Sequence, residues 1–187
     1  MQNRNETMAK RIVITGGGGT GKSTIIEELL QRGYCAYREV AREVIRKSLE
    51  DECDDLPWKD VTGFSYKVQQ GMLLDYKETE SIELCFFDRC LLDVKAYLEL
   101  EGLPVYEELN KDIASYSYFP LVFVLPPWRE IFENDEERME EFDHSVKAYN
   151  QLKETYSQHG YELIDVPFGS ARDRVDFIVN HVEAVLE

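Results

Sequence analysis

The chain has 187 residues, enough for one domain with a substantial core, and carries a formal net charge of −16. That acidic balance argues against a general nucleic-acid binder, which needs a basic footprint, but leaves room for a nucleotide in a small local site. No apolar run is long enough for a membrane span and the N-terminus lacks an apolar signal region; the cysteines (Cys35, Cys53, Cys85, Cys90) form no C-x-x-C pair, so a cytoplasmic protein with reduced thiols is expected.

Residues 1–10, MQNRNETMAK, are polar and predict a flexible tail ahead of a single domain over 11–187. Ile12, Val13 and Ile14 read as a strand buried on both faces. From Lys22, the apolar residues Ile25, Ile26, Leu29 and Leu30 recur at helical spacing, and Gly33 closes that helix. A second strand is expected over Tyr34–Arg38, then a helix from Val40 to about Leu49. The acidic stretch EDECDDLPW reads as a loop, and a long helix runs from there toward Glu80 with Val61, Phe64, Val68 and Met72 on one face. Leu84-Cys85-Phe86-Phe87 is a third strand ending in Asp88-Arg89. Helices follow from Leu91 to Glu101 and from Pro104 to about Ser115. Leu121–Leu125 is a fourth strand, halted by Pro126-Pro127. Asn134-x-x-Glu137 has the form of a capping box opening a helix that Gly160 ends. Tyr161–Val166 is a fifth strand, and Ala171–Leu186 a final helix. Strand–helix alternation of this kind predicts an α/β fold of three layers, a five-stranded parallel sheet between helices.

Between the first strand and first helix stands Gly16-Gly17-Gly18-Gly19-Thr20-Gly21-Lys22-Ser23-Thr24, which satisfies G-x-x-x-x-G-K-[ST]. Glycines let successive backbone N–H groups turn inward onto phosphate oxygens, and the helix N-terminus adds its positive dipole end. Lys22 brings a mobile charge to the outer phosphates, and the Ser23 hydroxyl is a ligand for Mg²⁺. A flexible linker that happens to precede a lysine would lack the flanking strand and helix.

In an open parallel sheet, ligands sit beyond the carboxyl ends of the strands. Asp88, at the end of the third strand, is placed to hold Mg²⁺ opposite Ser23; the alternative for an aspartate there is to cap the next helix. Glu39 and Arg42 follow the second strand and Arg89 the third, so these three are the acceptor-side candidates. Glu39 could take a proton from a hydroxyl or bind a ribose or amine, and Arg89 could grip a phosphate or simply pair with Asp93. Trp58, Tyr66, Gln69 and Gln70 are side chains from which an acceptor pocket could be built. After the fourth strand, a lid segment over about 126–140 carries Arg129 and Arg138, either of which could reach over the phosphates during transfer. Lys22, Asp88 and Arg138 form the expected catalytic set. His144 and His159 read as surface residues of the long helix.

GGGGTGKST, REVAREVI, FFDRCLLDVKAYLEL, LPPWREIFENDEER and GYELIDVP, in this order, resemble the AAA-type ATPase/kinase-like P-loop NTPase family, which includes the kinase domain of NadR-type nicotinamide-nucleotide enzymes. The resemblance spans nearly everything from Arg11 onward. It implies a nucleotide-monophosphate-kinase-like sheet, an NTP (ATP, with GTP possible) held by Gly16–Thr24, Mg²⁺ near Ser23 and Asp88, a lid bearing Arg138, and Pro167–Ser170 beside the base. Two positions depart from the pattern: Gly18 stands where proline is common, and Cys90 where glycine usually follows Asp-Arg.

The resulting expectation is a Mg-dependent phosphotransferase acting on a small nucleoside- or nucleotide-like acceptor. The alternative is an NTP hydrolase, or an ATP- or GTP-binding regulatory protein. A conventional signalling GTPase fits poorly, because Asn110-Lys111-Asp112 places Ile113 where N-K-x-D needs aspartate. GTP as a ligand stays open, and nothing in the pattern sets an oligomeric state.

Overall fold

The computed structural model describes residues 9–133 and 141–186. Five strands, β1 (Lys10–Gly16), β2 (Cys35–Tyr37), β3 (Leu84–Asp88), β4 (Leu121–Leu125) and β5 (Glu162–Asp165), form one sheet in the order β2-β3-β1-β4-β5. Every pairing is parallel. β1 begins at Lys10, within the stretch assigned from sequence to the tail.

The helices are α1 (Lys22–Gln31), α2 (Val40–Glu50), α3 (Val61–Glu78), α4 (Leu91–Leu100), α5 (Glu107–Ser115), α6 (Phe142–Gln158) and α7 (Ala171–Leu186). A single 3₁₀ turn, Arg129–Ile131, follows β4. The expected fifth helix starts at Glu107 rather than Pro104, since Tyr106 supplies its N-cap in extended geometry. The capping box at Asn134 and Glu137 lies outside the described residues.

Alternation of side chains along the central strands divides the core in two. On one face Ile12, Ile14 and Phe123 pack against α1 and α7 through Ile25, Leu29, Val175 and Ile178. On the other, Val13, Val122 and Val124 meet α4 and α6 through Leu92, Ala96, Leu152 and Tyr156. All of β4 is buried, as a parallel strand covered on both faces should be. A third cluster, including Val40, Val68, Met72, Val94 and Leu98, ties α2 and α3 to α4, away from the sheet centre. These helices form the wall of one of the two cavities described below.

The expectation of separate reduced thiols does not hold for Cys35 and Cys85. Parallel register sets them opposite one another on β2 and β3 with Cα atoms 4.7 Å apart, and the two are joined as a disulfide. Cys53 and Cys90 are free. Among the described residues, no helix is long and apolar enough to cross a membrane.

Candidate functional site

The phosphate loop joins β1 to α1, and its glycines are required by what lies against them. A side chain at Gly17 would run into Ser145 of α6, and one at Gly19 into the Phe132 ring. Ser145 Oγ donates to the Gly18 carbonyl at 2.8 Å, so α6 braces the loop from behind. Lys22 is buried, and its Nζ donates to the carbonyls of Gly16 at 2.9 Å and Gly17 at 2.8 Å. The ammonium is thus tethered to carbonyls of the loop itself. Ser23 and Thr24 are exposed at the start of α1.

A cavity of 390 Å³ opens over this loop, lined by Gly19–Thr24 and by Arg42, Trp128, Ile131 and Arg174 among others. Gly169 also lines it, and Phe168 stacks on Trp128 at 4.9 Å, so the loop expected beside the base borders this cavity.

Asp88 ends β3 beside Ile14 of β1. It is buried, and neither carboxylate oxygen has a hydrogen-bond partner. Burial, then the negative charge of Glu39, pushes its carboxyl up to about 7 against the opposing pull of Lys22 and Arg89. It is not the cap of α4. Cys90 holds the N-cap position, with Asp93 completing a capping box through the Cys90 N–H at 2.9 Å. A desolvated oxygen donor with no protein partner suits a hard cation, and Mg²⁺ needs only one or two carboxylates when substrate phosphates complete its shell. Ser23 and Asp88 therefore fit the ion, although the described residues contain no cluster of three or more metal-binding side chains.

Arg89 adopts a left-handed conformation (φ 78°), an uncommon state for a residue with a side chain. This turn sends its guanidinium inward. Nε donates to Glu39 Oε1 at 3.0 Å and Nη1 to Asp93 Oδ1 at 3.2 Å, all three residues being buried. The positive φ falls at Arg89 and not at Cys90, which explains how cysteine can stand where glycine is usual. Glu39 Oε2 also meets Arg42 Nε at 3.4 Å. Glu39 is therefore neither a surface group nor isolated: it is the carboxylate between two arginines.

Asp93, considered from the sequence only as a pairing partner for Arg89, is that partner and belongs to a wider network. Besides Arg89 and the Cys90 N–H, it accepts from the Tyr156 hydroxyl at 2.6 Å and from Thr15 Oγ1. Its position four residues after Arg89 was the signal for the ion pair, and its position three after Cys90 the signal for the capping box.

Glu39, Arg42 and Arg89 border a second, larger cavity of 640 Å³. Trp58, Phe64, Val68, Met72 and Tyr97 give it apolar and aromatic walls, and Glu101 and His144 lie on its polar side. His144 is thus no plain surface residue; its Nε2 lies 3.2 Å from Glu101 Oε1. Of the other side chains expected to build an acceptor pocket, Tyr66 and Gln70 do not line it. Gln69 turns toward α5 instead, bonded to Asp112 at 2.5 Å and to the Tyr106 hydroxyl at 2.7 Å.

Of the two expected lid arginines, Arg129 is not brought to the phosphate loop. Arg138 lies outside the described residues. Arg129 is exposed, with its guanidinium 4.7 Å above the Phe142 ring, and does not line the nucleotide-side cavity. Arg174, 154 residues from Thr20 in sequence and unremarked there, does line that cavity. It donates through Nη1 to the Thr20 carbonyl at 3.0 Å.

Comparison with known proteins agrees with this architecture. A family profile described as AAA domain matches residues 11–174. No curated protein sequence matches the chain. Among solved structures, the fold is similar to deoxyadenosine kinase from M. mycoides with the products dCMP and a flexible dCDP bound. That match has TM-score 0.66 and 17% identity, covering 93% of this chain and 99% of the other. It is also similar to NadR protein in complex with NR, with TM-score 0.69 and 19% identity, covering 95% of this chain and 50% of the other.

Proposed function

For a chain that belongs to the AAA domain family, a P-loop NTPase/kinase-like family, we propose the reaction of a phosphotransferase. It moves the γ-phosphoryl of ATP to a hydroxyl or phosphate of a small nucleoside- or nucleotide-like acceptor. The observation that carries this reading is the pairing of two cavities that share Arg42 as a wall, one over the phosphate loop and one lined by Glu39 and Arg89. A hydrolase needs room for water alone; a second cavity of 640 Å³ with aromatic walls is sized for an organic acceptor. Solved structures that share the fold hold dCMP and dCDP, or NR, which supports this acceptor class.

The geometry supports the following roles. Backbone N–H groups of Gly16–Thr24 cradle the phosphates, and Lys22 leaves its two carbonyls to neutralise the outer ones. Ser23 and Asp88 would hold Mg²⁺, which when bound supplies charge neutralisation at the phosphate oxygens. Glu39 accepts the proton of the acceptor hydroxyl, and Arg89, fixed from its other side by Asp93, keeps that carboxylate in place. Arg42 stands between the cavities, where the transferred group passes. Arg138 is the lid cation.

The test is ADP release from Mg·ATP across a panel of nucleosides, nucleoside monophosphates and nicotinamide riboside. Turnover that depends on one acceptor supports the kinase. ADP release indifferent to every acceptor would support the hydrolase.

A further inference from the structure

Arg174 occupies a position that the proposed reaction leaves unexplained. It sits in the first turn of α7, is only 3% exposed, and reaches across to the phosphate loop. One nitrogen, Nη1, is anchored on the Thr20 carbonyl, and any side chain at Gly21 would press against that same nitrogen at 2.8 Å. The guanidinium carbon stands 5.6 Å from the centre of the Trp128 ring. The other two nitrogens, Nε and Nη2, are buried with no hydrogen-bond partner, and among the described residues no carboxylate forms an ion pair with this arginine.

A buried cation without a counter-ion is costly, and evolved proteins keep one where a ligand supplies the anion. Burial alone lowers its pKa to about 10, which still leaves the group charged at neutral pH. The residue lines the cavity over the phosphate loop, so the missing anion belongs there. Nε and Nη2 form one edge of the planar guanidinium, and that edge matches two oxygens of an oxyanion. A neutral base could accept hydrogen bonds but would leave the buried charge uncompensated.

We propose that Arg174 is a phosphate ligand of the bound nucleotide, with Nη1 fixed on the loop at Thr20 and the Nε–Nη2 edge taking oxygens of the phosphate chain. This rests on the reading of Gly16–Thr24 as a nucleotide site. It makes α7 a second source of phosphate contacts, joined to the loop before nucleotide arrives.

The experiment measures binding of two probes, Mg·ATP and Mg·tripolyphosphate, to the full chain and to Arg174→Met, Arg174→Lys and Lys22→Ala. Tripolyphosphate has no base, so it separates phosphate contacts from base contacts. The expected result is that Arg174→Met weakens both probes by about ten- to hundredfold, the scale of a lost charge-assisted pair, while Arg174→Lys loses less. Unliganded Arg174→Met should melt no lower than the unchanged protein, because removing an uncompensated buried charge does not destabilise the fold. Equal binding of both probes by Arg174→Met and the unchanged protein would overturn the proposal. So would a loss confined to ATP, which would make Arg174 a base contact, or a clear fall in unliganded melting temperature, which would make it a strut. If the unchanged protein bound neither probe, or Lys22→Ala bound both as tightly, the nucleotide site itself would be wrong, a result distinguishable from the others.

Discussion

The cavity over the phosphate loop draws its floor from one contiguous stretch, Gly19–Thr24, whereas the cavity beside it is assembled from α2, α3, α4 and α6. The first relies on backbone N–H groups and glycines, the second on side chains. Backbone recognition demands a particular local sequence, because the chain must curl and no Cβ can intrude. Side-chain recognition demands only that the fold bring the right groups together, whatever their order. One cavity is therefore written in a motif and the other in the tertiary structure.

Four substitutions would break or sharpen that contrast, and the largest effect belongs to the motif. Lys22→Ala should lower phosphoryl transfer by about 10²–10³-fold or more, the scale of removing a preorganised charge at the transferred group. Its circular dichroism should be unchanged, since Nζ bonds carbonyls of the loop and not of a helix or a distant strand pairing. Glu39→Gln should lower kcat by about 10²–10⁴-fold, as expected for loss of a general base. ATP affinity in that variant should survive, and a matching loss of ATP binding would mean that the two cavities are not separate. Asp93→Ala should act through stability, costing about 3–5 kcal/mol by urea denaturation, because Arg89 loses one of its two buried carboxylates.

Asp88→Asn is the smallest in stability and opposite in sign. The folded carboxyl has a pKa of about 7, above the ordinary aspartate value, so the folded state binds the proton more tightly than the unfolded chain does. Its ionisation therefore costs stability progressively from about pH 4 to pH 7 and fully above that. In chelator, without nucleotide, Asp88→Asn should be more stable than the unchanged protein at pH 8 by about 2–4 kcal/mol. That advantage should vanish near pH 4. The same variant should lose activity, and an active Asp88→Asn enzyme would remove Asp88 from the metal site.

Much of the fold was legible because its signals are local. The bounds of Leu121–Leu125 and of the final helix follow from a buried apolar run between breakers and from helical periodicity. The strand, glycine loop and helix over residues 10–31 were legible for the same reason. What was not legible depends on long-range placement. Arg174 meets Thr20 only because α7 packs beside α1 on one face of the sheet. Gln69 looks like any polar residue on an exposed helix face, but α5 packs where it points. Cys35 and Cys85 read as two independent buried thiols until the register of β2 against β3 brings them together. Asp93 was legible as a pairing partner of Arg89, but its bonds from Tyr156 and Thr15 depend on how α6 and β1 are placed around it.

The central claim is that phosphate crosses from one cavity to the other. The most direct measurement follows the label from γ-labelled Mg·ATP in the presence of each acceptor, with Glu39→Gln alongside. The account predicts label covalently attached to one organic acceptor, and far less of that product from Glu39→Gln. Label recovered only as inorganic phosphate, at the same rate with every acceptor and in both proteins, would contradict it.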